Sequence, residues 1–89
     1  MAFNFFPAKK TFHVTVLDNE ETVFDDEVVT LSSTNQRGNF DILSLHSNFI
    51  TIIQKELILR QEDKTTKRIK INQAVMQCLN HSVKIFLGI

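Results

Sequence analysis

The sequence is poor in the residues that break or cross-link a chain. Its 89 residues hold one proline and two glycines, so turns must be built from Asn, Asp, Ser and Lys. The single cysteine, Cys78, excludes an internal disulfide, and the reducing cytosol is the expected compartment. Neither charge is in surplus, because ten basic residues balance ten acidic ones. Nucleic-acid binders draw much of their affinity from a basic surplus on phosphate, so no nucleic-acid partner is expected. No apolar run approaches the ~20 residues of a membrane span, so no direct membrane insertion is expected. The start, MAFNFFPAKK, lacks the charged and long apolar regions of a secretory signal. The only glycines, Gly38 and Gly88, make no phosphate-cradling loop, and no cofactor is expected.

What is present is alternation. Hydrophobic residues make up 43% of the chain, enough for one small globular domain that buries about 60–65% of its unfolded surface. In Thr11–Leu17, Phe12, Val14 and Val16 fall on one face and His13 and Thr15 on the other. Val23-Phe24 reads as a short strand, Glu27–Ser33 as another, and SSTNQRG as the loop after it. Phe40–Leu43, Phe49–Ile53 and Leu57–Leu59 are apolar runs too short for stable helices. Arg68–Ile71 places Ile69 and Ile71 inward and Arg68 and Lys70 outward. Ala74–Leu79 and Val83–Leu87 flank a tight Asn80-His81-Ser82 turn and read as a hairpin. Short strands at regular intervals, rich in Val, Ile, Thr and Phe, predict an all-β sandwich or barrel. Residues 1–10 read as an N-terminal extension, with Phe3, Phe5 and Phe6 capping the domain or touching a partner; residues 11–89 read as the domain.

Chemistry-bearing residues are few. His46, between Ser44 and Ser47, has the side chain of a base, a metal ligand or a docking contact, but no nucleophile motif surrounds it. Cys78 and His81 form C-x-x-H, half of what a structural zinc site needs, and Cys78 reads better as a small buried apolar residue. Asp25-Asp26-Glu27 lacks the alternating oxygens and glycine of a calcium loop and reads as an acidic turn. Lys64, Lys67, Arg68 and Lys70 make a basic edge of the kind that guards an open strand. No catalytic constellation and no metal site emerges.

The order of three pieces is informative. Phe12-His13-Val14-Thr15-Val16-Leu17 is followed by Val23-Phe24-Asp25-Asp26-Glu27-Val28, then by Gly38-Asn39-Phe40-Asp41-Ile42-Leu43-Ser44-Leu45-His46-Ser47-Asn48-Phe49. In sequence and spacing this resembles the N-terminal domain of the epsilon subunit of F-type ATP synthases. That domain carries F-H-V-x-[VI]-[VL], then x-F-x-x-x-V, then G-x-[FL]-G-[IV]-L-P-G-H-A-P-L. The closing HSVKIFLGI is similar to the family's final strand. Ser44-Leu45 stands where the family has Pro-Gly, Ser47-Asn48 where it has Ala-Pro, and Asp41 where it has a glycine, so the docking loop has its own shape. The sequence stops where the family's two-helix C-terminal domain would begin, so inhibition of hydrolysis and ATP sensing are not expected.

The resemblance implies a two-sheet β-sandwich in a non-catalytic central-stalk subunit that couples rotation to ATP synthesis. Its implied partners are the gamma subunit and the c-ring. Carried over by motif, Gly38, Asn39, Phe40, Leu45 and His46 are the c-ring-docking residues, and Phe49, Val75 and Gln77 the gamma-docking ones. The implied place is the cytoplasmic side of the bacterial inner membrane, held there through the complex. The alternative is a stand-alone β-sandwich interaction module with no synthase role.

Overall fold

A computed structural model describes residues 11–43, 48–80 and 82–88. It contains seven strands: β1 (Phe12–Asp18), β2 (Glu21–Val28), β3 (Thr30–Asn35), β4 (Gly38–Ile42), β5 (Phe49–Arg60), β6 (Thr66–Leu79) and β7 (Ser82–Leu87). Among the described residues there is no helix long and apolar enough to cross a membrane. The hydrogen-bonded order is β2-β1-β7-β6-β5-β3-β4. All neighbours are antiparallel except β1 and β7, which run parallel.

The predicted two-layer sandwich is built here from one continuous ribbon. The long strands β5 and β6 pair along their whole length, yet β7 pairs only with Val75–Leu79 of β6. β3 reaches only Gln54–Arg60 of β5. One layer is therefore β2-β1-β7 with the C-terminal half of β6 and the N-terminal half of β5. The other is β4-β3 with the remaining halves. Val14, Val16, Val83 and Ile85 of the first layer and Leu31, Leu57 and Leu59 of the second are all 0% exposed in one cluster. With no helix among the described residues to cover them, the two inner faces bury each other.

The bend sits where the pairing slips. Gln54 faces Gln73 but Lys55 faces Ile71, so Asn72 is an extra residue in β6, and Lys55 adopts φ 76°. The bulge explains a change of phase in the sequence. Ile69 and Ile71 pack on the core at odd positions, while Ala74, Met76 and Cys78 are buried at even ones. Read by strict alternation, this stretch looks like two strands, Arg68–Ile71 and Ala74–Leu79; it is one. Phe49–Ile53 and Leu57–Leu59 likewise belong to one strand, interrupted in hydropathy by Gln54-Lys55-Glu56 at the bend. Where the β3–β5 ladder is broken by this irregularity, the buried Ser33 hydroxyl donates to the Glu56 carbonyl at 2.8 Å. That bond satisfies a carbonyl the ladder leaves open.

Three other sequence-based expectations change. SSTNQRG is not a loop: Thr30–Asn35 is β3, and only Gln36-Arg37 turns before Gly38. Strand Glu27–Ser33 is split at Val29, which lets Val28 and Leu31 both reach the core despite their odd spacing. Val23-Phe24 is the middle of an eight-residue strand that also contains Asp25-Asp26-Glu27, so the acidic run is not a turn. Val23 is the extra residue of a second bulge, opposite Val16/Leu17. The tight turns use asparagine as expected, with Asn19 and Asn80 both at φ 58°, a region that Asn tolerates better than most side chains.

Candidate functional site

The register fixes what each layer shows to solvent, because directly opposed residues share a face. On the outer face of the first layer, Ile52 opposes Val75, Val75 opposes Phe86, and Phe86 opposes Leu17. Four apolar side chains thus form a row across β5-β6-β7-β1. The next row is Ile50, Gln77, Lys84 and Thr15. Ile50 is 67% exposed and Ile52 51% exposed, while Leu17, Val75, Gln77 and Phe86 are half-buried. A contiguous apolar row on the outside of a sheet is a candidate surface for a partner.

At the β1–β2 corner of the same face the chemistry turns ionic. His13 opposes Glu27 and Thr15 opposes Asp25. The His13 Nδ1 lies 2.8 Å from Glu27 Oε2, and Nε2 meets an Asp25 carboxylate oxygen. Thr11 donates to Glu27 at 2.9 Å and Thr15 to Asp25 at 3.2 Å. Both ring nitrogens face carboxylates, an arrangement that favours the doubly protonated, cationic ring. Hydrogen bonding to Asp25, then to Glu27, raises the His13 pKa above its usual value; the bond from His13 lowers that of Asp25. The cluster clips edge strand β2 to β1.

The motif-derived residues are distributed unevenly. Val75 and Gln77 lie together on the outer face of β6. Phe49 opposes Cys78 and so belongs to the inner face, at its rim, 37% exposed. Gly38 and Asn39 follow the β3–β4 turn, where Gly38 sits at φ 123° and Asn39 accepts from Thr34 at 2.7 Å. Phe40 opposes buried Ser33 and packs partly on the core. Leu45 and His46 lie outside the described residues. Gly38 and Leu43 are at opposite ends of the β4 segment, about 16 Å apart at ~3.3 Å per residue. Cys78 is buried, and burial pushes its thiol pKa up to about 11. His81 lies outside the described residues, and among those described no three His, Cys, Asp or Glu side chains are grouped to hold a metal.

Residues 11–87 match the model of the ATP synthase delta/epsilon chain, beta-sandwich domain. The chain belongs to that family. As a delta/epsilon-type domain it also resembles solved structures. One chain of the Euglena gracilis mitochondrial ATP synthase OSCP/F1/c-ring structure superposes with a TM-score of 0.82 at 13% identity, over 97% of this chain and 56% of that one. One from the Tetrahymena thermophila mitochondrial ATP synthase central stalk/c-ring gives 0.70 at 8% identity, over 93% and 67%. At these identities the likeness is one of fold. The delta/epsilon-type domain spans little more than half the length of the Euglena chain. No curated protein sequence matches it.

Ile50, Ile52, Leu17, Phe86 and the His13 cluster are the residues that motif reasoning missed. A signal for the first pair is in the sequence. Phe49–Ile53 carries large apolar residues at both parities except Thr51, so one of its two faces must show them to something other than the core.

Proposed function

We propose that this delta/epsilon-type domain is a non-catalytic coupling element of an F-type ATP synthase central stalk. Its outer β1-β7-β6-β5 face seats on the gamma subunit, and the segment after β4, with Leu45 and His46, meets the polar loops of the c-ring. The observation that carries this reading is the uncharged row Leu17–Phe86–Val75–Ile52 on a member of this family. The mechanism is mechanical. Torque from the ring passes through a body whose two layers share the same long strands, so neither layer can rotate without the other. Its interior packs near crystal density, and a few apolar anchors set the seat on gamma. The domain is held at the cytoplasmic side of the bacterial inner membrane through the complex; the solved relatives above are mitochondrial.

The test is a double variant, Leu45→Asp with His46→Ala, reconstituted with the cognate synthase. Proton-driven synthesis falls while the melting temperature of the isolated domain is unchanged. Normal synthesis in that variant removes the loop from the mechanism.

A further inference from the structure

Because the layers share β5 and β6, the described residues present four strand edges rather than two. β2 and β4 are the ends of the ribbon. The other two are the halves that lack a second main-chain neighbour: Thr66–Ile71 of β6, beyond the reach of β7, and Phe49–Ile53 of β5, beyond the ladder with β3, where Asn35 donates only from its side chain to the Thr51 hydroxyl at 3.3 Å. Open edges expose a row of backbone donors and acceptors that invites another strand, and proteins normally guard them with charge or shortness. β2 carries Glu21, Asp25, Asp26 and Glu27. Thr66–Ile71 carries Lys67, Arg68 and Lys70. β4 is five residues long, begins with a glycine and includes Asp41. Phe49–Ile53 carries no charge, no glycine and no proline, and among the described residues no strand pairs with its outer side. It is as short as β4, but among the described residues it is the one edge of the four without a charged side chain.

We propose that Phe49–Ile53 is a strand-addition site that receives one extended segment of the gamma partner through main-chain hydrogen bonds. This rests on the reading of the outer face as the gamma seat. The groove along the edge is lined by Ile50, Thr51 and Ile52 together with Gln36, Gln54 and Gln73, with a volume of about 460 Å³. Gln54 and Gln73 stand at the bend, where the edge ends, so the segment is about five residues long and apolar at alternate positions, to pack on Ile50 and Ile52. A second copy of this chain is the weaker occupant on size. Five paired residues run only about 16 Å and cover a few hundred Å², against roughly 800 Å² per partner in a stable complex. The edge is continuous with the row Ile52–Val75–Phe86–Leu17, so a partner seated on that face reaches both and makes up the area.

The experiment is amide-resolved hydrogen exchange on the labelled domain, alone and with excess cognate gamma subunit. Amides of Phe49–Ile53 that point away from β6 exchange fast in the free domain and slow by about tenfold or more with gamma. If gamma shifts the resonances of Val75 and Phe86 but leaves those amide rates unchanged, the face reading stands and strand addition is overturned. If gamma does not bind, both are overturned. If the amides become protected without gamma as the domain's own concentration rises, the occupant is a second copy and the proposal fails.

Discussion

Replacing Ile50 and Ile52 together by threonine tests the outer face with little risk to the fold. Threonine keeps the β-branch, and with it the strand preference, but exchanges apolar bulk for a hydroxyl. Fully burying an isoleucine side chain is worth about 1.5–3 kcal/mol. Ile50 is 67% and Ile52 51% exposed, so roughly half of that is available to a partner. Threonine forfeits most of it, about 1 kcal/mol per site, or about 2 kcal/mol for the pair. That is near a 30-fold rise in the Kd for gamma, since 1.4 kcal/mol is a factor of ten. Calorimetric titration of wild type and variant against gamma reads the change, and thermal melts confirm an unaltered fold. An unchanged Kd with an unchanged melting temperature would falsify the assignment of this face.

Leu57, fully buried where the layers meet, costs about 2–5 kcal/mol of unfolding free energy when cut to alanine, read by urea denaturation; a loss below 1 kcal/mol contradicts the shared core. His13 predicts a pH signature. Its pKa is raised in the folded state, so its contribution is fully present below the unfolded value of about 6.5 and is lost as pH rises through the raised one. The Asp25 side persists until pH falls through its own lowered pKa. The melting-temperature gap between wild type and His13→Gln is therefore widest near pH 5–6 and closes in alkali; a gap that widens in alkali contradicts the clip. Cys78, with its thiol pushed to about 11, stays unlabelled by a thiol reagent at pH 7.5 in the native state and reacts fully in urea.

The fold class was legible because most strands announce themselves by alternation. Phe12, Val14 and Val16 predict β1 and its inner face directly. The long strands were not, since a bulge at Asn72 shifts the inward positions from odd to even, and period-2 reading treats such a shift as a strand boundary. β3 was hidden for another reason. Ser32, Ser33, Thr34 and Asn35 have the composition of a loop, and only tertiary pairing with β4 and β5 makes them a strand. The ionic corner was invisible because His13 and Asp25 are twelve residues apart and meet only once the Asn19-Glu20 turn and the Val23 bulge set the register. On the outer face proposed as the gamma seat, motif matching singled out Val75 and Gln77. It missed Ile50 and Ile52 because it places residues by sequence order, whereas which face a residue shares is decided by register. Phe49, one residue before Ile50, points to the other side.

The most direct measurement is the stoichiometry and heat capacity of binding between this domain and its cognate gamma subunit. A one-to-one complex is expected, whose binding enthalpy falls with temperature, the mark of apolar surface being covered, and whose affinity drops when Ile50 and Ile52 become threonine. A titration that shows no complex, or a complex indifferent to those two side chains, contradicts that expectation.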